Sequence, residues 1–271
     1  MPVCLSVQSL VVSGAVGQGA AAFVLAAEGV EVWPLPTVIL SGHAATAGVE
    51  GRRLPGEEIA ALARGLGAAG ALSRVDAVLT GYLGTPEAAL AVADLVAAVK
   101  RARPDAVYLC DPVLGDAGRL YLPEAMIGIY RDRLLPLADI ATPNLDELGW
   151  LIGAPAPVDV EGAALFAQRL RGLGPDVVHA TSVPGPTPHQ IGILACDAGG
   201  SHACLAPRAP LHLHGAGDFT AALLLACALG GDTPREAADR VAPAVARLAA
   251  RALDEGRSDL PVVGARAVWQ G

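Results

Sequence analysis

Apolar residues fall along this chain in short unbroken runs separated by longer stretches of helical spacing. Strands buried on both faces of a parallel sheet read as continuous apolar runs, because helices cover each side. The runs predict strands at Val3–Val7, Val30–Leu40, Ala77–Thr80, Ala106–Cys110, Asp139–Ala141 and Val177–Ala180. Helical spacing between them predicts helices over Gly17–Glu28, Glu57–Ala69, Pro86–Arg101, Pro123–Leu134, Asn144–Ile152 and Gly162–Gly172. Gln190–Cys196 and His202–Ala206 read as paired strands across Asp197–Gly200, whose Asp and Gly suit a hairpin turn. Two helices close the pattern, over Ala216–Leu229 and Pro234–Leu253. Ser41–Gly56 interrupts the alternation; it is loop-like, rich in Gly and Ala, and placed to fold over a site. No repeat, charge block or low-complexity linker divides the chain, so one α/β domain with a mostly parallel central sheet is expected.

Composition narrows the class. Apolar residues make up 53% and charged residues 17% of the 271, which implies a large interior, and 4% aromatics leave that interior to Ala, Val, Leu and Ile. The net charge is −8, and the basic runs are no longer than Arg52-Arg53 or Lys100-Arg101. A nucleic-acid partner is therefore not expected, whereas ATP remains compatible, because phosphates can be held by backbone N–H groups. The five cysteines form no CxxC pair, so neither a disulfide framework nor a zinc site is expected. No Lys or Arg precedes the first apolar run, and Phe219–Leu229 is far shorter than the ~20 residues of a membrane span. The expectation is a cytoplasmic protein with no membrane partner.

The candidate chemistry sits where strands end and helices begin. His214-Gly215-Ala216-Gly217-Asp218 lies where irregular chain becomes a long apolar helix. Two glycines allow a tight turn, the N–H groups of the next helical turn suit a phosphoryl group, and Asp218 can accept a proton from an attacking hydroxyl. An acid in the first turn of a capped helix fits the same spacing. Thr142-Pro143-Asn144-Leu145-Asp146-Glu147 reads either as a capping box or as Asn144 and Glu147 facing a Mg²⁺·nucleotide through water. Asp111 and Asp116, in Cys110-Asp111-Pro112-Val113-Leu114-Gly115-Asp116, follow a buried strand, where α/β sheets bind ligands; loop aspartates also bond their own backbone. Tyr82 and Ser9 end two further strands, and Tyr82 is placed either to stack on a flat ring or to pack. There is no GxxxxGK[ST] loop and no GxSxG elbow, and His212 with His214 lacks a third metal ligand.

Taken together and in order, these stretches resemble the pyridoxal kinases of the ribokinase-like superfamily. The resemblance runs through LSVQS (Leu5–Ser9), GVEVWPLPTV (Gly29–Val38), TGYLG (Thr80–Gly84), CDPVLGD (Cys110–Asp116), YLPE (Tyr121–Glu124), LLPLADIATPN (Leu134–Asn144), Thr181-Ser182 and GAGD (Gly215–Asp218). It implies a three-layer α/β/α sandwich, a homodimer, and a flap near 41–54. It also implies ATP with Mg²⁺, K⁺ as monovalent activator, and a pyridoxal-class alcohol as acceptor. Asp218 would be the general base, with Gly215, Ala216 and Gly217 as anion hole. Asp111, Thr142, Glu147, Thr181 and Ser182 would serve ATP, with Glu147, Asp111 and Thr142 near cations. Ser9, Val16, His43, Ala44 and Tyr82 would line the acceptor pocket. The departures fall in that pocket. Leu10 replaces a His, Gln18 an Asn, Gly42 an Asn, and Ala44 a Thr that bonds the pyridine. Losing such a partner costs ~1–3 kcal/mol of affinity. Hydroxymethylpyrimidine is the alternative acceptor, and a non-catalytic pyridoxal phosphate binder the alternative class.

Overall fold

The computed structural model of the chain describes residues 1–44, 46–211 and 213–270; Ala45, His212 and Gly271 lie outside the described residues, and with His212 half of the histidine pair above. In chain order the elements begin β1 (Val3–Val11), α1 (Gln18–Ala27), β2 (Glu31–Leu40), β3 (Gly51–Arg53), α2 (Gly56–Ala68), β4 (Ala77–Thr80), α3 (Pro86–Ala102) and β5 (Val107–Cys110). A small hairpin, β6 (Gly115–Asp116) and β7 (Arg119–Leu120), precedes α4 (Ala125–Ile129), β8 (Ile140–Ala141), α5 (Leu145–Ile152) and α6 (Val160–Arg171). Then come β9 (Val177–Pro184), β10 (Gln190–Asp197), β11 (Gly200–Pro207), α7 (Ala216–Gly230), α8 (Pro234–Asp254) and α9 (Arg266–Gln270).

Nine strands form one sheet in the order β11-β10-β9-β8-β5-β4-β1-β2-β3. The six from β2 to β9 run parallel; β3 and β10 run opposite to them, and β11, antiparallel to β10, returns to their direction at the edge. Alternate strand residues point to opposite faces. Leu5 and Val7 of β1 therefore pack with Ile59, Val92, Leu148 and Leu170, from α2, α3, α5 and α6. Cys4, the residue before Leu5, packs instead with Val24, Leu224, Val241 and Trp269, from α1, α7, α8 and α9. Val78 against Ala77 and Leu79, and Tyr108 against Leu109, divide in the same way. Two cores on the two faces of one sheet make the fold an α/β/α sandwich. α7 is buried at every position from Phe219 to Cys227, as a helix apolar on all sides must be, because it lies between the sheet and α8.

Helix ends follow their capping chemistry. Thr85 caps α3 by accepting from the Ala88 N–H, with Pro86 in the first turn and Lys100 and Arg101 in the last. Thr233 and Glu236 form a reciprocal capping box on α8.

Several elements differ from the sequence expectation. Ser41–Gly56 is not wholly loop: β3 pairs with β2, and the Ser41 N–H donates to Glu50 O at 2.8 Å, closing residues 41–50 on themselves. The helix expected over Pro123–Leu134 is α4 followed by a π-turn over Tyr130–Leu134 and a 3₁₀ turn over Leu135–Leu137. Pro136 has no N–H to continue the α ladder, so the chain changes pitch there. β9 continues four residues past Ala180, and α9 adds a third closing helix. No helix among the described residues is long and apolar enough to cross a membrane.

Candidate active site

The candidate residues collect at one edge of the sheet because the parallel strands share a direction. Asp111 and Thr142 directly follow β5 and β8, Tyr82 lies two residues past β4, and Ser9 and Thr181 lie in the last residues of β1 and the second half of β9. The chain also reverses its order of strand addition about β1, with β2 on one side and β4 on the other. Ligands of open α/β sheets bind at such switch points.

Asp218 stands in the first turn of α7, behind Gly215 in a left-handed conformation (φ 83°). No side chain caps this end, so the first-turn N–H groups keep their donor capacity. A Cβ on Gly215 would lie 2.0 Å from Ala15 O, so only glycine lets the turn and the β1–α1 loop approach this closely. That loop reaches the acid: the Gly17 N–H donates to Asp218 Oδ2 at 2.8 Å. Ser9 packs behind it, its Oγ lying 2.3 Å from where a Cβ on Gly17 would sit. Burial raises the Asp218 carboxyl above its usual range, while the Gly17 N–H and its own N–H pull it back.

Across the site, Asn144 and Glu147 form the capping box of α5: Asn144 Oδ1 accepts from the Glu147 N–H at 3.0 Å, and Glu147 Oε2 from the Asn144 N–H at 2.9 Å. Glu147 Oε1 also accepts from the Leu114 and Gly115 N–H groups at 2.8 and 3.5 Å. Asn144 Nδ2 donates to Gly115 O, so one cap fastens α5 to the loop carrying Asp111. Glu147 is buried, and that burial pushes its pKa up to about 7 despite three N–H donors. Asp111 is also buried; desolvation raises it well above the ordinary value, with the charges of Glu147 and Asp218 adding to the effect. The Thr142 hydroxyl donates to Asp111 Oδ1 at 3.1 Å and offsets a part. Asp116, by contrast, accepts from the adjacent Ala117 N–H at 2.7 Å, a local turn bond.

At β9 a bulge opposes Thr181 and Ser182 to one residue of β10, between the Ala180–Leu194 and Val183–Gly192 pairs. Ser182 takes a left-handed φ of 59° and is exposed, so the bulge turns it out of the ladder. Tyr82 is half-buried against the core, and its carbonyl accepts from the Thr37 hydroxyl at 2.5 Å.

A cavity of about 510 Å³ opens between Ser13, Gly14 and Val16, the stretches Ser41–His43 and Thr46–Val49, His214 and Ser258-Asp259. Val16 and His43 line it; Ser9, Tyr82 and the exposed Ala44 do not. The His43 and His214 rings stack across it, centroids 3.7 Å apart and planes 24° apart. A larger, mostly apolar groove of about 640 Å³ between α2 and α3 shares no lining residue with it. Gly17, Ala15 and Asp259 are the members that sequence reasoning misses, and His214, read there only as part of the turn, meets His43. Only the break in apolar pattern at Ser13–Gly19 hints at the first two.

Residues 47–263 match the family model described as phosphomethylpyrimidine kinase. The chain is 37% identical over 268 residues to pyridoxal kinase PdxY of Granulibacter bethesdensis, covering 97% of this chain and 94% of that one. The chain belongs to the pyridoxal kinase family. PdxY of Leifsonia xyli subsp. xyli is 37% identical, over 96% of this chain and 92% of its own. Among solved structures, pyridoxal kinase from Leishmania donovani in complex with ADP and ginkgotoxin superposes with a TM-score of 0.92 at 32% identity. It covers 100% of this chain and 96% of that one. The same enzyme in complex with ADP and pyridoxamine gives 0.92 at 31%. The ribokinase-like sandwich is thus shared by these pyridoxal kinases.

Proposed function

We propose that this protein transfers the γ-phosphoryl group of ATP to the 5-hydroxymethyl group of pyridoxal, and also to pyridoxine or pyridoxamine. The observation that carries the reading is Asp218, partly desolvated, fixed by the Gly17 N–H, and placed on the first turn of α7 behind the Gly215–Gly217 bend. A carboxylate with a raised pKa is a better proton acceptor, and adjacent uncapped N–H groups stabilise charge on a transferring phosphoryl group. Asp218 takes the hydroxyl proton while Gly215, Ala216 and Gly217 receive the phosphoryl oxygens. Thr181 and Ser182 approach the nucleotide phosphates from the β9 bulge. Ser9, Val16, His43, Ala44 and Tyr82 surround the acceptor under a flap near 41–54, within one kinase domain.

The donors at Asp111, Thr142 and Glu147 are all oxygen, which fits hard cations. Mg²⁺ bound with ATP neutralises phosphate charge during transfer. Glu147 already uses both oxygens on backbone N–H groups, so its reach to Mg²⁺ runs through water. On the resemblance, Thr142 would lie near K⁺ and Asp111 near the phosphates and the cation. The resemblance further suggests a homodimer working in the cytoplasm, where the ATP pool lies.

A second acceptor, hydroxymethylpyrimidine, is favoured by Gly42 and Ala44, which remove polar partners from the flap. The test is ATP consumption by purified protein with Mg²⁺ and K⁺, offered pyridoxal, pyridoxine, pyridoxamine and hydroxymethylpyrimidine separately. Turnover of a B6 vitamer that is lost in Asp218→Asn is the expected result. Turnover of the pyrimidine alone moves the substrate, and silence with all four ends the kinase reading.

A further inference from the structure

We propose that Asp259, on the segment between α8 and α9, is a positioning residue that holds the β1–α1 loop against the base. It accepts the Ala15 N–H on Oδ2 at 3.0 Å. Its other oxygen, Oδ1, is gripped by Arg257 through Nε at 3.2 Å and Nη2 at 3.1 Å. A carboxylate can take both donors at once, which an alanine cannot and an asparagine can only in part.

The contacts form a short chain of consequence. Ala15 O is the atom against which Gly215 packs so closely that a Cβ there would sit 2.0 Å away. Two residues on, the Gly17 N–H holds Asp218 Oδ2. Ala15 is therefore the point at which the loop touches the Gly215 turn, and Asp259 fixes that point. The segment is itself tied to the residue before the turn. The His214 N–H donates to Ser258 O at 3.0 Å, and the Leu260 N–H to His214 O at 3.2 Å. Downstream, Leu260, Val262 and Ala265 are buried, and Trp269 sits edge-on to Phe219 with centroids 5.5 Å apart. Asp259 thus acts from a seated frame, not from a loose tail.

The proposal rests on Asp218 being the base, so its test begins with the wild-type protein turning over pyridoxal. Asp259→Ala and Asp259→Ser both lose the reach to Ala15. Each is expected to lower kcat by about 10-fold or more, since displacement of a catalytic group by ~1 Å can cost on the order of 10²-fold. KM for ATP is expected to stay within about 2-fold, because the proposed ATP residues lie on β9 and α5 or directly after β5 and β8. Asp259→Asn, whose amide oxygen can still accept from Ala15, is expected to recover most of the lost rate. Wild-type kcat in the alanine and serine variants overturns the proposal. So do an asparagine variant as slow as the alanine one, and loss of rate only in proportion to unfolded protein by thermal melting. A wild-type protein inactive on every acceptor defeats the reading of Asp218 instead, which separates the two failures.

Discussion

Gly215→Ala sets the site's tightest contact against its chemistry. The new Cβ meets Ala15 O at 2.0 Å, whereas Cβ contacts under 3.0 Å are essentially never seen, so the two must separate by about 1 Å. Neither partner yields easily: Ala15 is held by Asp259, and Gly215 begins a helix buried along most of its length. The residue must also keep φ near 83°, which costs an L-residue roughly 1–2 kcal/mol. At ~2–4 °C per kcal/mol for a chain near this size, the midpoint of thermal unfolding is expected to fall by about 2–8 °C. The rate is expected to fall much further, by on the order of 10²-fold in kcat, because the relieving shift moves Gly17 relative to Asp218. Gly217→Ala is the stability control: nothing lies within 4 Å of its Cβ, so its melting midpoint is not expected to drop. Calorimetry on both variants, with steady-state kinetics on pyridoxal, reads both effects. A Gly215→Ala protein that melts with wild type and keeps kcat within 2-fold refutes the argument that this contact aligns the base.

Asp218→Asn is expected to fold normally, since its amide oxygen can still accept the Gly17 N–H, yet to lose ~10²–10⁴-fold in kcat as a general base is removed; single-turnover kinetics check it. In Glu147→Gln one oxygen must serve N–H groups that now occupy two, at a cost of ~1–3 kcal/mol by thermal unfolding at pH 5. Because the folded pKa of Glu147 is raised to about 7, its favourable contribution is present below the unfolded value and is lost as pH rises through 7. The gap to the variant is therefore expected to narrow between pH 5 and 8; a widening gap contradicts it. Buried His179, lowered to about 4, tilts both proteins the opposite way, which is why the variants are compared with each other. Ala44→Thr is expected to lower KM for pyridoxal by about 10-fold with little change in kcat, if a restored hydroxyl regains ~1–3 kcal/mol of pyridine bonding.

The parallel strands are legible in the sequence because both faces are buried, and burial on both faces writes an unbroken apolar run. Ala77–Thr80 appears in the structure with the same bounds. β3 escapes because Gly51–Arg53 is exposed throughout and lies on an edge, where no apolar run is required. β6 and β7 have two residues each, too few to show a period. The bulge at Thr181-Ser182 hides because a left-handed serine has no signature in a run of strand-forming residues. The site divides along the same line. Asp111 and Thr142 are legible because each directly follows a strand, and Asn144 with Glu147 because the capping box can be read from spacing alone. The bond from Gly17 to Asp218 spans 201 positions and that from Ala15 to Asp259 spans 244, and neither leaves a local pattern. His43 against His214 is likewise a meeting of a loop and a turn that only the fold brings together.

The electrostatics of the site favour a cation-dependent nucleotide. Asp111, Glu147 and Asp218 are held by backbone N–H groups and one hydroxyl, and each carboxyl is raised chiefly by burial. Such groups weaken the empty protein as they ionise, and the charges on Glu147 and Asp218 raise the cost for Asp111 further. ATP brings more negative charge to the same place in a chain of net charge −8. Uncapped helix N–H groups meet only a part of that charge. On the proposed reading, a hard cation held near these carboxylates would offset both sets of charge at once. Affinity for ATP is then expected to depend on Mg²⁺ more strongly than affinity for the uncharged acceptor does. The burial of Asp111 and Glu147, unfavourable for stability alone, keeps water from screening that attraction.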